Sequence, residues 1–426
     1  MERNDPRYQA YVEILKEELI PAMGCTEPIA LAYAAAKARE VLGVLPDSVQ
    51  LQVSGSIIKN VKSVIVPNTG HLKGMEAAVA AGIIAGSAEK ELEVISEVSE
   101  EKKSAIRDYL QTVPITIEHT EQGHVFDIVV TERCGQDYAR VRIADYHTNI
   151  CRIEKNGTVL YEVPLLDETG QEDSRVDRSL LNMQDIWDFA ETADLRDVAD
   201  LLERQIRYNN AIAEEGLLGD YGANIGRVLL TTYGNDVSNR AKAKAAAGSD
   251  ARMNGCELPV IINSGSGNQG ITCSVPLIEY AKELHSGKEK LYRALIISNL
   301  VAIHEKTGIG TLSAYCGAVS AGAGAGAGIV YLCGDGYQAA IHTVVNALAI
   351  VSGIVCDGAK ASCAAKIASS VDAALLGYNM YKCNQEFKGG DGIVMKDIET
   401  TIKGIGRLGK DGMRQTNEEI IRLMMS

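Results

Sequence analysis

Apolar and polar positions along the chain fall into two styles. In residues 9–20 (QAYVEILKEELI) the apolar positions recur at helical spacing. After Gly24-Cys25-Thr26-Glu27-Pro28, the run IALAYAAAKAREVLG predicts a second helix ending at Gly43. Thr26 is read as its N-cap and Pro28 as part of its first turn, which sets Cys25 beside the positive end of the helix dipole. Residues 49–56 (VQLQVSGS) alternate as a strand does, and so do 113–118, 124–131, 138–146 and 159–163. A loop containing Pro67, Asn68, Gly70 and His71 leads into the small-residue helix GMEAAVAAGIIAG. From about residue 176 long helical stretches take over, among them SLLNMQDIWDFAETA, LRDVADLLERQIRYNNAIAEEGLL, SVPLIEYAKELHS and EKLYRALIISNLVAIHEKTG. The expected fold class is α+β: an N-terminal α/β domain over residues 1–170 and a mostly helical domain over 176–426. The polar segment 163–177 is read as their linker. No repeat of solenoid type occurs.

Composition narrows the function classes. The 426 residues, 46% hydrophobic and 23% charged, have an ordinary globular balance that permits a large core. Aromatics are only 5% while glycines number 41, which predicts closely packed helices with small side chains. A net charge of −14 argues against nucleic acid as a partner, because phosphate binding needs clustered Lys and Arg. The charged stretch MERNDPRYQAYVEILKEEL lacks the apolar region of a signal peptide. The long uncharged run Thr307–Gly334 could span a bilayer, but it is mostly Gly and Ala and is read as a buried helix or helix pair, with a membrane span as the minor alternative. The expectation is a cytoplasmic protein off the membrane, compatible with a homo-oligomer. There, its ten cysteines are thiols or metal ligands rather than disulfides.

Four clusters could carry chemistry. Cys25, at a helix N-terminus, is a candidate thiolate, with a plain buried cysteine as the alternative. Gly55-Ser56, Lys59-Asn60 and Asn68-Thr69-Gly70-His71 form a glycine-flanked loop set that could bind a carboxylate or supply a base; a turn held by Asn and Gly accounts for the same residues and is preferred on spacing. Ser264, Gly265, Ser266, Gly267, Asn268, Gln269 and Gly270 expose backbone N–H groups suited to a small anion. They lack the Lys-Ser/Thr ending of a phosphate loop and the strand–turn–helix setting of a dinucleotide site. Upstream, a helix end and polar loop carry Ser249, Asp250 and Arg252, which could face the same pocket; Arg252 is the natural carboxylate clamp, a surface salt bridge its alternative. The fourth cluster is Cys316, Cys356 and Cys363. In one straight helix, Cys356 and Cys363 would lie roughly 10 Å apart, against about 5.5 Å for a disulfide. Gly358 points to a turn that folds them together. No CxxC pair is present for zinc; three thiolates without a fourth in register fit an iron–sulfur cluster with one open iron, although C-x6-C is no standard zinc or ferredoxin spacing.

Jointly, AMGCTEPIALA (22–32), SGSIIKNV (54–61), HTN (147–149), AGSDARMNG (247–255), SGSGNQGI (264–271), LSAYCGAVSAGAGAGAG (312–328), CDGAKASC (356–363) and the tail DGIVMKDIETTIKGIGRLGKDGM resemble the L-cysteine desulfidases, relatives of the iron–sulfur L-serine dehydratases. The resemblance spans nearly the whole chain. It implies a [4Fe–4S] cluster held by Cys316, Cys356 and Cys363 in the helical domain, with the fourth iron left for substrate and no pyridoxal phosphate. It also implies Cys25 in the active site, as base or as resting ligand to the open iron. The reaction implied is α,β-elimination of a small amino acid, L-cysteine, to sulfide, ammonia and pyruvate. Cys25 is the first candidate base and His71 the second; Ser264–Gly270 and Arg252 would hold the substrate carboxylate. Serine dehydratases carry a Ser- and His-rich motif where this chain has GCTEP, and their second cysteine interval is wider. Some end in a cysteine where this chain ends LMMS. These departures favour cysteine over serine. The rivals are an L-serine dehydratase with the same cluster, a non-catalytic amino-acid or redox sensor, and a structural protein with core cysteines. Cys134, Cys151, Cys256, Cys273, Cys333 and Cys383 are read as ordinary thiols, Cys273 being nearest the glycine loop.

Overall fold

The computed structural model describes residues 1–120, 124–165, 176–310 and 312–425. The chain opens with α1 (Pro6–Glu18), β1 (Pro21–Met23), α2 (Thr26–Leu42), β2 (Ser48–Ser54), α3 (Gly55–Val61), α4 (Gly74–Ala85) and α5 (Glu100–Thr112). Strands β3 (Ile115–Thr120), β4 (Asp127–Cys134), β5 (Asp137–Ala144), β6 (Ile150–Lys155) and β7 (Thr158–Glu162) follow. The later part holds α6 (Met183–Thr192), α7 (Ala199–Leu218), α8 (Ile225–Tyr233), α9 (Val237–Met253), β8 (Pro259–Ile261), α10 (Gly267–Glu283), α11 (Lys288–Ile309), α12 (Gly317–Cys333), α13 (Tyr337–Val351), α14 (Ser362–Lys382), α15 (Ile398–Arg407) and α16 (Arg414–Met425). The fold class is α+β, as the patterning predicts: an N-terminal sheet region, then a mostly helical region.

The sheet has six strands in the order β3-β2-β4-β5-β6-β7, with β2–β3 parallel and the other pairs antiparallel. Val49, Leu51 and Val53 alternate into the core, giving β2 one buried face. Two further contacts tie the N-terminal segment to the helices. Pro6 opens α1 under an Asp5 cap, and Tyr8 and Tyr11 pack edge-on against Phe189 of α6. β1 pairs antiparallel with β8, Pro21 opposite Ile261 and Met23 opposite Pro259. The strand entering α2 is thus joined to the strand that leads into α10.

The uncharged run becomes the end of α11 and the buried helix α12. Its glycines are points of helix contact: a Cβ at Gly322 would sit 2.8 Å from the Ser370 backbone, and one at Gly324 2.5 Å from Ser298 O. Small residues let these backbones close to that distance, so α12 packs against α11 and α14 without large side chains between them. No helix among the described residues is long and apolar enough to cross a membrane.

Several local readings are corrected. Residues 55–61 are helix α3, not a loop. Ser249, Asp250 and Arg252 lie inside α9. Gly267–Gly270 form the first turn of α10 after β8, so the glycine segment does have a strand–turn–helix setting. The N-cap of α2 is Cys25 itself, one residue before the predicted Thr26. Helix α5 and strand β6 were not anticipated. Most of the linker assigned to 163–177 lies outside the described residues.

Candidate active site

Cys316 and Cys356 are forty positions apart in sequence and are brought together by a short backbone ladder. Cys356 N donates to Ala314 O at 2.6 Å, Cys316 N donates to Ile354 O at 3.1 Å, and Tyr315 bridges Val355. Cys316 then caps α12. Gly358 turns the chain at φ +92°, and Cys363 enters the first turn of α14. A Cβ at Gly358 would lie 2.1 Å from Lys59 O, so this turn is seated directly on the backbone of α3.

All three cysteines are free thiols and line one cavity of about 110 Å³. That volume exceeds the roughly 10–15 Å³ one water needs and suits a small molecule. Burial, then the neighbouring Cys356 thiol, pushes Cys316 up; burial leads for Cys363 too. Adjacent thiolates disfavour one another unless a metal centre supplies positive charge. Among the described residues no three His, Cys, Asp or Glu side chains converge on a point where one ion would sit. The three thiols share the lining of one cavity, and three cysteine donors are a set of the chemical type that iron–sulfur centres use.

The opposite wall is polar. Cys25 lines it at the N-cap of α2, and its thiol donates to Glu27 Oε2 at 3.4 Å. Asn60 Nδ2 donates to Glu27 Oε1 at 2.8 Å, and the buried His147 ring stands 3.9 Å from the same oxygen. Burial alone would raise the Glu27 carboxyl; the His147 imidazole and Arg252 outweigh it and hold Glu27 well below the usual range. Cys25 behaves oppositely to the expectation from its helix terminus. Burial first, and the Glu27 carboxylate second, push its thiol well above the ordinary value, with Arg252 pulling the other way. The dipole is the smaller influence here, and the expected thiolate is at rest a thiol.

The structure brings half of the sequence-predicted substrate residues to this wall. Arg252, 2% exposed on α9, lines the cavity with Ser266, Asn268 and Gln269. Thr26 Oγ1 donates to Gly265 O at 2.9 Å, which ties the start of α2 to the turn before α10. Gly267 leaves room for the Arg252 guanidinium, since a Cβ there would be 2.3 Å from its Nε. Ser264 turns away to Asn263, with its hydroxyl donating to Asn263 Oδ1 at 2.9 Å, and Gly270 packs on the backbone of Ile261. Asp250 does not face the cavity: it accepts from Ile225 N at 2.6 Å and caps α8. His71 is exposed beside Gly255 and does not line the cavity. Cys273 is buried between Ala302 and Ala321, also off the cavity.

Several buried polar atoms around this space make no hydrogen bond: Arg252 Nε, Asn60 Oδ1, Asn268 Oδ1 and Gln269 Oε1. Buried polar groups are ordinarily paired. An unpaired guanidinium N–H together with three unpaired amide oxygens describes the complement of a small ligand with one anionic end and one N–H-rich end. Glu27, His147 and Lys306 had no assigned role in the sequence reading, and Asn60 figured only in the loop set for which a plain turn was preferred. The HTN and GCTEP motifs contained two of them, but nothing in their spacing showed that they meet.

The family model described as serine dehydratase alpha chain matches residues 89–422. A UPF0597 protein of Desulfitobacterium hafniense is 61% identical over 426 residues, covering 100% of this chain and 99% of the relative. UPF0597 proteins of Lachnoclostridium phytofermentans (53% over 419 residues, 98% of this chain and 100% of the relative) and Treponema denticola (46% over 430 residues, 100% of both) are similar along their whole length. Matched along most of its length by this family model and along its whole length by these relatives, the chain belongs to the serine dehydratase alpha chain family.

Proposed function

We propose that the protein is an iron–sulfur lyase that eliminates sulfide from L-cysteine. Family membership supports a dehydratase-type lyase. The observation that carries the finer reading is the meeting of Cys316, Cys356 and Cys363 with Cys25, Arg252 and the first turn of α10 around one small cavity. The reading treats residues 1–170 and 176–426 as two domains that share the site. Cys316, Cys356 and Cys363 would hold the cluster. When bound, the cluster supplies a Lewis-acidic iron that stabilises the departing sulfur, for which a soft metal–sulfur centre is suited.

The chain's own residues do the rest. Arg252 and the N–H groups opening α10 take the substrate carboxylate. Glu27, with the free carbonyl oxygens of Asn60 and Gln269, takes the α-ammonium. Cys25 is the base for the Cα proton. At rest its thiol proton points at Glu27 Oε2, and the Arg252 guanidinium is the nearby charge that favours the thiolate this step requires. Loss of the Cα proton and of the Cβ–S bond leaves aminoacrylate, whose imine form is hydrolysed to pyruvate and ammonia. His71, lying off the cavity, drops out as a base. The second reading, elimination of water from L-serine, is favoured by the description of the matching family model. Iron and sulfide analysis of anaerobically reconstituted protein, with pyruvate and sulfide release followed together, tests the proposal. Equal release of both from L-cysteine is the expected result, and cluster-loaded protein that releases neither would defeat it.

A further inference from the structure

Two lysines flank the three cysteines, and among the described residues neither forms an ion pair with a carboxylate. Lys59, on α3, is 2% exposed; its Nζ donates to Asn417 Oδ1 at 2.6 Å and to Cys356 O at 3.4 Å. Lys306, in the last turn of α11, is 6% exposed, lines the cavity and donates to Gly310 O. The nearby acids are engaged elsewhere. Asp357 pairs with Lys360 at 2.5 Å and with Lys366, and Glu27 accepts from Asn60 and Cys25. A buried ammonium held by neutral partners alone is costly, and two beside one another are costlier still. The chain nevertheless keeps both where its three thiols meet.

We propose that Lys59 and Lys306 are the counter-charges of a net-anionic iron–sulfur centre on Cys316, Cys356 and Cys363, and that they set its reduction potential. The inference rests on the cluster reading above. Three thiolates around a doubly positive core leave an excess negative charge, and the potential of such a centre follows its net charge and hydrogen bonding. Both lysines act through the centre, so they are positioning residues. Lys59 also joins the Cys356 carbonyl to Asn417, so helix α16 fixes the cysteine loop from behind.

The test compares full-length, anaerobically reconstituted wild type with Lys59→Met, Lys306→Met and the corresponding Arg variants. It measures iron per chain, midpoint potential, and thermal unfolding with and without iron. In the Met variants the potential moves to more negative values, and in the Arg variants, which keep the charge, it returns toward wild type. Without iron, the Met variants unfold at a higher temperature than wild type, because an uncompensated buried charge is gone; with iron, that gain disappears. Loss of iron in the Met variants with retention in the Arg variants also supports the proposal. Met variants that hold iron at an unchanged potential would overturn it, as would equal destabilisation with and without iron, or iron loss in Met and Arg variants alike. Wild-type protein that takes up no iron would instead remove the cluster reading itself, and this inference with it.

Discussion

The Cys25 thiol donates to Glu27 Oε2 across 3.4 Å at the first turn of α2, and both side chains are buried. The pair changes what a cysteine at a helix N-terminus means. The dipole favours thiolate, but burial and the adjacent carboxylate win and hold Cys25 as a thiol, with Arg252 the charge that opposes them. Replacing Cys25 by Ala should leave iron content unchanged and lower kcat by about a hundredfold or more, the usual worth of a positioned base. Steady-state pyruvate assays beside iron analysis check this. An undiminished rate would remove Cys25 from the mechanism.

In the proposed mechanism Arg252, buried on the cavity wall, holds the substrate carboxylate. Arg252→Met should raise KM for L-cysteine by roughly 10- to 100-fold, the range for losing a charged hydrogen-bonded contact, while iron content holds. An unchanged KM would assign Arg252 a structural role.

Cys316→Ala, Cys356→Ala and Cys363→Ala should each fail to retain the cluster, read as loss of bound iron and of the visible iron–sulfur absorption. Cys273→Ala should retain it, since Cys273 is packed between Ala302 and Ala321 away from the cavity. Full iron in any of the first three would remove that residue from the ligand set.

Stability should fall with rising pH because of Glu132. This side chain on β4 is fully buried, both its carboxyl oxygens lack a hydrogen bond, and burial pushes it up to about 9 from an ordinary 4.5, with Arg39 pulling the other way. In that window the folded chain keeps a proton that the unfolded chain has released. Its contribution is therefore full below 4.5 and is lost toward pH 9, at about 1.4 kcal/mol per pH unit where the effect is complete. Glu132→Gln should flatten the dependence and be the more stable protein at pH 8, by denaturant unfolding at pH 6 and pH 8. An unchanged slope would contradict this.

Gly324 tests the packing of α12. Alanine would improve helix propensity by about 1 kcal/mol. Its Cβ would also lie 2.5 Å from Ser298 O, a backbone atom that cannot move alone. The clash should win, and Gly324→Ala should destabilise by about 1–3 kcal/mol in denaturant unfolding. A stabilised variant would mean that α11 and α12 separate readily.

Patterns of apolar spacing carried the long elements, because α2, α7 and α11 each repeat apolar positions over many turns. They failed where burial is thin or complete. Helix α5 fully buries only Ile106 and Tyr109, too few to mark a period. Helix α3 is buried at every position, so Lys59 and Asn60 looked like loop residues and turned out to be interior ones. At the site, the residue types in GCTEP, NSGSGNQG and CDGAKASC were readable as chemistry. Lys59 and Asn60 were read only as part of a loop set best explained by a turn, and Glu27, His147 and Lys306 were given no role of their own, because their importance lies in contacts between segments far apart in sequence. His71 misled for the converse reason: its polar loop looked apt, and the chain carries it to the surface.

The most direct measurement is pyruvate formation by anaerobically purified, iron-reconstituted protein, with L-cysteine and L-serine in parallel. The account predicts turnover of L-cysteine, with sulfide released in step, and little turnover of L-serine. Turnover of L-serine in preference to L-cysteine would contradict the desulfidase reading and make the protein a dehydratase.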